Sequence, residues 1–163
     1  MHPTDEDFLD LALEEAKKAA AEDEVPVGAV AVFQGEVVGL GRNARERRAD
    51  PLAHAELDAI RNASRHLGRW RLTGVSLYVT LEPCAMCAGA MVNARVDRVV
   101  YAATDPKAGA VQSLYEICTD TRLNHRIEVV GGIRGEEAGA LLTDFFRRKR
   151  AAGKAARCNG HKV

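Results

Sequence analysis

The sequence predicts a mixed β-sheet with helices packed on both of its faces. Three observations lead there. The chain has 163 residues, 47% hydrophobic and 28% charged, which fits one ordinary globular domain and excludes a disordered or collagen-like chain. A hairpin pattern near the start is followed by strands that alternate with helical segments, the order that builds sheets covered on both sides. No apolar run approaches the ~18 residues that a membrane-spanning helix needs.

Each element has its own signal. Thr4 and Asp7 have the spacing of a capping box, and Phe8, Leu11, Ala12, Ala16 and Ala19 then recur at helical period, predicting a helix over 5–23. Val25 to Phe33 and Val37 to Gly41 are β-branched runs split by Gln34-Gly35-Glu36, the pattern of a hairpin. Asp50-Pro51 ends extended structure and opens a helix over 52–66. Val75 to Leu81 reads as a buried strand ended by Pro83, with a helix over 85–94 after it. Val96 to Ala102 is the next strand. Residues 103–126 read as loop with one short helix near Ser113–Ile117. Ile127 to Val130 is the last strand, and a closing helix runs from Glu136 to about Ala152, with Leu141, Leu142, Phe145 and Phe146 as its apolar positions. The expected organisation is one domain over 1–150 and a basic, flexible tail over 151–163.

Net charge is zero but unevenly spread. Residues 147–163 hold seven of the 23 basic residues and none of the 23 acids, so the first 146 carry 16 bases against 23 acids. Bases also bunch at Arg42, Arg45, Arg47 and Arg48, and again at Arg61, Arg65, Arg69 and Arg71. Local clusters on a neutral chain suit either a confined polyanion contact or plain solvated surface. At 5%, aromatic residues are too few for a broad base-stacking platform. The opening Met1-His2-Pro3-Thr4, followed by three acids, is unlike a secretory signal and points to a cytoplasmic protein.

Two segments carry chemistry. His54-Ala55-Glu56 opens the second helix, and Pro83-Cys84-Ala85-Met86-Cys87 forms a strand-to-helix turn. Two thiolates and an imidazole are three good zinc ligands, and three protein ligands leave the fourth tetrahedral position open for water. Cys84 and Cys87, at i and i+3, lie on one side of a helical turn, and a helix N-terminus favours the thiolate form. A structural zinc site would need a fourth ligand. Cys118, Cys158, His66 and His125 could be nominated, but none has close ligand spacing to the others. A dithiol redox centre also fits Cys-x-x-Cys after a strand, yet leaves His54 and Glu56 without a task. Glu56 favours catalysis: a carboxylate two residues from a ligand can sit beside a metal-activated water and move its proton.

His-x-Glu followed by Pro-Cys-x-x-Cys resembles the signature of the zinc-dependent nucleobase deaminases, which includes a tRNA-acting branch. The likeness extends to Val25-Pro26-Val27-Gly28-Ala29-Val30, Asp50-Pro51-Leu52-Ala53, Thr80-Leu81-Glu82, Gly109-Ala110, Asn124-His125-Arg126 and Asp144-Phe145-Phe146-Arg147, which are similar to the bacterial tRNA-specific adenosine deaminases. That resemblance covers roughly 5–150. It implies a three-layer α/β/α cytidine-deaminase-like fold, with a central mixed five-stranded sheet flanked by helices. It implies one Zn²⁺ per subunit held by His54, Cys84 and Cys87, with Glu56 as the catalytic proton shuttle. Asn43 and Ala55 would hold the target base, and Asp105, Lys107, Asn124, Phe145 and Arg147 would lie along the anticodon-loop groove. The implied partners are a tRNA anticodon stem-loop and a second copy of the chain, and the implied reaction is adenosine to inosine at the wobble position. A free nucleobase or nucleoside deaminase (guanine, cytosine or cytidine) would share all the zinc chemistry. One departure stands out: Gln112 occupies a position where the resemblance leads one to expect Gly.

Overall fold

The protein is described from a computed structural model covering residues 2–159. Helix α1 spans Asp5–Ala21 and starts at the expected capping box, in which Thr4 and Asp7 bond reciprocally. Strands β1 (Gly28–Phe33) and β2 (Glu36–Arg42) form the hairpin. A single helical turn, α2 (Arg45–Arg48), precedes α3 (Ala55–Leu67), β3 (Val75–Leu81), α4 (Ala85–Ala94), β4 (Arg98–Ala103), β5 (Glu128–Gly131) and α5 (Gly135–Asn159). The sheet order is β2-β1-β3-β4-β5, with β1 antiparallel to both neighbours and β3, β4 and β5 parallel. It is a mixed five-stranded sheet, as the alternation of elements required.

The period-2 pattern of the strands sorts side chains into two cores. Val30, Val32, Tyr78, Val100 and Ala102 face Phe8, Leu9, Ala12 and Leu13 of α1 and Ala138 of α5. Ala29, Ala31, Leu77, Val79, Val99 and Tyr101 face Ala55, Ala59 and Ala63 of α3 and Ala88, Met91 and Val92 of α4. Helix α3 lies unusually close to β2 because Gly39 and Gly41 carry no side chain. A Cβ on Gly41 would stand 2.0 Å from the Ala55 carbonyl oxygen, and one on Gly39 2.3 Å from that of Ala59. That close approach fixes where α3 begins, and therefore where His54 and Glu56 stand.

Several boundaries differ from the sequence reading. Helix α3 begins at Ala55 rather than 52, with His54 as its N-cap. The turn α2 has no signal in the sequence; its N–H groups at Glu46 and Arg47 are accepted by the carboxylate of Glu24, a long-range cap that leaves no local trace. The short helix expected near Ser113–Ile117 is a 3₁₀ turn at Ile117–Thr119. Helix α5 does not stop near Ala152 but continues to Asn159, so residues 151–159 are helical. Ala151, Ala152, Lys154, Ala155, Ala156 and Arg157 are strong helix formers, and no proline stops them. The rest of the expected tail, residues 160–163, lies outside the described residues. After α3, the connection to β3 exposes Trp70, whose ring is stacked by the Arg71 guanidinium at 4.9 Å.

Candidate metal centre and catalytic pocket

The parallel strands β3 and β4 end at one rim of the sheet, where crevices form in sheets of this kind. Here α3 and α4 both begin, and their first residues converge. His54 Nδ1 lies 3.7 Å from Cys84 Sγ and 3.6 Å from Cys87 Sγ, and all three ligand atoms lie within 4.8 Å of one another. A tetrahedral zinc with Zn–S of about 2.3 Å and Zn–N of about 2.05 Å would set each N···S distance at about 3.5 Å. The triangle fits that ion.

The protonation of the three groups argues the same way. Hydrogen bonding from Cys87 pulls the Cys84 thiol down to about 4, with His54 beside it also favouring the thiolate. Cys87 is pushed up, because it donates to Cys84, is buried and faces the negative charges of Glu56 and Cys84. The His54 imidazole is raised by its bond to Cys84. Two thiolates this close repel each other unless a cation separates them, so a divalent ion is the natural replacement for the protons on Cys87 and His54. Among the described residues no other His, Cys, Asp or Glu joins this group. His125 bonds the Val96 carbonyl instead at 2.6 Å, and Cys118 is buried in the core beside α4. Three protein ligands without a fourth among the described residues are what a catalytic rather than a structural site requires.

Beside the triangle is a cavity of about 680 Å³, lined by Asn43, Arg45, His54, Ala55, Glu56, Glu82, Cys84, Asp105 and Lys107, with Gly139, Leu142, Thr143 and Phe146 of α5 on its flank. Glu56 is 4% exposed, and burial pushes its carboxyl up to about 7 while His54 and a backbone N–H pull it back. A carboxyl near neutrality can both take and give a proton. Asn43 uses one amide hydrogen on the Val25 carbonyl (3.2 Å) and accepts from the Arg45 N–H (3.3 Å), which aligns its remaining donor. Ala55, the first residue of α3, has a backbone N–H without an intrahelical acceptor.

Three of the expected groove residues do not line this cavity. Asn124 is exposed on the 120–126 loop, Arg147 is exposed and paired with Asp144 at 3.3 Å, and Phe145 is buried; none lines the cavity. Phe146 lines it instead, edge-on to Phe145 at 5.5 Å. Successive helical residues differ by about 100°, so only one of two adjacent phenylalanines can face the pocket. Gly139, Leu142, Thr143 and Phe146 fall at i, i+3, i+4 and i+7, a spacing already present in the sequence.

Sequence reasoning also passed over Glu82. It is 2% exposed and accepts from the N–H groups of Asp105 (2.9 Å), Val111 (3.3 Å), Gln112 (2.8 Å) and Ser113 (2.8 Å), and from the Ser113 hydroxyl. Burial would raise its pKa, but these donors together hold it below the usual range. One carboxylate thus fastens the loop that carries Asp105 and Lys107 to the turn that carries Cys84. Gln112 fits this loop without strain: its φ is not positive, its N–H meets Glu82, and its side chain accepts from the Tyr101 hydroxyl.

A family model described as MafB19-like deaminase matches residues 4–150. The metal triangle and the fold therefore stand in a deaminase, and the class is settled by sequence as well as by geometry. The tRNA-specific adenosine deaminase of Bacillus subtilis is 49% identical over 155 residues, covering 95% of this chain and 96% of that one. A solved structure from work on tRNA:A34 deaminases superposes with a TM-score of 0.80 at 44% identity, covering 83% of this chain and 98% of that one. A guanine deaminase structure from Bacillus subtilis, 41% identical, superposes with a TM-score of 0.61 over 63% of this chain and 66% of its own. The chain belongs to the MafB19-like deaminase family and, within it, to the tRNA-specific adenosine deaminases.

Proposed function

We propose that the protein hydrolyses the wobble adenosine of a tRNA anticodon to inosine, releasing ammonia. The observation that carries the reading is the His54–Cys84–Cys87 triangle with Glu56 beside it, in a chain matched over 95% of its length by a tRNA-specific adenosine deaminase. The guanine deaminase likeness covers less of the chain, and a free-base deaminase is the second reading.

Zinc, one ion per subunit held by His54, Cys84 and Cys87, would lower the pKa of a bound water towards ~7 and place positive charge beside the reacting carbon. The chain's own residues do the rest. The target base leaves its stack, which is cheap in a loop, and enters the cavity. The second amide hydrogen of Asn43 and the free N–H of Ala55 meet its polar edge and fix its orientation. Glu56 takes a proton from the attacking water and delivers it to N1 as oxygen joins C6. Glu56 then moves the proton of the new C6 hydroxyl to the exocyclic nitrogen, the C6–N bond breaks, and ammonia leaves as the C6 carbonyl of inosine forms. Asp105, Lys107 and Phe146 stand at the cavity wall where flanking nucleotides would pass.

Two further parts of the reading have support of their own. A homodimer is supported by α4, whose partly exposed positions Ala85, Met86, Gly89 and Ala90 are apolar, and by the exposed side chains of Leu114 (53%) and Tyr115 (61%). A cytoplasmic location is supported by four unpaired cysteines. Among the described residues no helix is long and apolar enough to cross a membrane. The test is direct: incubate the zinc-loaded protein with an anticodon stem-loop bearing adenosine at the wobble position and digest it for nucleoside analysis. Inosine is the expected product. Ammonia from guanine or cytidine with no inosine would establish the second reading instead.

A further inference from the structure

The two internal bunches of arginine in the sequence, 42–48 and 61–71, meet in space, and the structure divides their members. Arg42 is held by Glu15 (3.2 Å) and Glu22 (2.8 Å), and Arg47 by Glu22 (3.6 Å). Arg69 lies over the Phe33 ring and donates to the Thr73 carbonyl. Arg48, Arg61 and Arg65 behave differently. Arg48 and Arg61 both reach the carboxylate of Asp58, at 2.8 and 3.4 Å, and that carboxylate is only 11% exposed while both guanidiniums remain nearly half exposed. Arg65, one turn further along α3, is exposed and has no ion-pair partner among the described residues. These three arginines, with Asn62, Asp50 and Asp58, line a separate polar depression of about 350 Å³.

We propose that this depression binds the phosphodiester backbone of the substrate RNA. This rests on the functional reading above and adds a contact outside the catalytic cavity. Asp58 orients two guanidinium forks without cancelling them, and Arg65 adds a third. Arginine forks match phosphate oxygens in a bidentate manner, and a concave, prearranged set loses less side-chain entropy on binding than a convex one. The remaining acid, Asp50, is engaged locally by the Leu52 N–H at 2.8 Å.

The path from the pocket is short. Arg45 lines the catalytic cavity and Arg48 the depression, three residues apart on α2. Asp58, Arg61, Asn62 and Arg65 then follow at i, i+3, i+4 and i+7 along one face of α3, the last three exposed. One helical turn rises about 5.4 Å, comparable to the spacing of successive phosphates. A strand leaving the cavity past Arg45 would thus set phosphates two or three nucleotides from the target over Arg48, Arg61 and Arg65.

The test measures binding of a fluorescent anticodon stem-loop by anisotropy at low and high salt. Native protein is compared with Arg65→Glu and, separately, Arg61→Ala. Arg65→Glu removes an unpaired surface side chain, so zinc content and thermal midpoint should match the native protein. Its Kd should rise about tenfold at low salt, and the slope of log Kd against log salt should fall by about 0.7–0.9 for each phosphate no longer neutralised. Methylphosphonate replacement of the phosphates two and three nucleotides from the target should weaken binding to native protein and weaken it no further in Arg65→Glu. Additive losses, or an unchanged Kd in both variants, overturn the proposal. Binding that follows these expectations without inosine formation would overturn the functional reading and still support the groove.

Discussion

His54, Cys84 and Cys87 each stand at the opening of a helix, where backbone N–H groups are unsatisfied and negative charge is favoured. Cys87 is fully buried, so its thiolate form depends on a cation to separate it from Cys84. Cys87→Ala should leave two ligands and a poor site, and the purified variant should carry far less than one equivalent of zinc by elemental analysis. A full equivalent would remove Cys87 from the ligand set. Glu56→Gln keeps the triangle but cannot cycle a proton. Zinc content should hold while turnover falls by about 10²–10⁴-fold, the usual cost of losing a general acid–base; near-native turnover would exclude Glu56 as the shuttle. These four residues were legible from spacing because the chemistry constrains residue types at fixed offsets. Phe146 was not distinguished from Phe145, because the phase of α5 against the sheet is a tertiary fact. Glu82 was missed because its partners lie 23 to 31 positions away in a loop with no regular pattern.

At the level of elements, α1 is pinned at its first residue. Arg98, the first residue of β4, grips Asp5 through two bonds of 2.6 and 2.8 Å, and the Tyr78 hydroxyl donates to the same carboxylate at 2.9 Å. Arg98 holds the Asp5 carboxyl below its usual range against the opposing effect of burial. A depressed carboxyl pKa gives stability that is complete above the unfolded value of about 3.9 and is lost as pH falls through the folded value. Asp5→Asn should therefore cost about 1 kcal/mol at neutral pH, allowing for solvent screening. The difference between native and variant urea midpoints should shrink when both are measured near pH 3. A difference independent of pH would mean that the contact contributes by shape rather than charge. The elements themselves were legible from period and capping, α1 almost to the residue. Where the sequence misjudged, the cause was long-range: α2 depends on the distant Glu24 carboxylate, and α5 outruns its packing on helix propensity alone.

For the molecule as a whole, the sheet gathers the candidate site residues at one rim, where β2, β3 and β4 end, while α4 leaves an apolar surface of Ala85, Met86, Gly89 and Ala90 partly exposed beside it. If two copies share this surface, native protein should sediment at twice the chain mass, and Leu114→Glu with Tyr115→Glu should shift it to the monomer. A native monomer would overturn the dimer. Trp70 offers a different kind of consequence, one for spectroscopy. It is the single tryptophan of the chain and is 60% exposed, whereas Tyr78 and Tyr101 are 4% and 2% exposed. Its indole sees water before and after denaturation, so its emission wavelength should scarcely move when the core melts. The near-ultraviolet dichroism of the two buried phenols is the optical signal that follows this fold. The tryptophan is left as a reporter of whatever approaches the far end of α3.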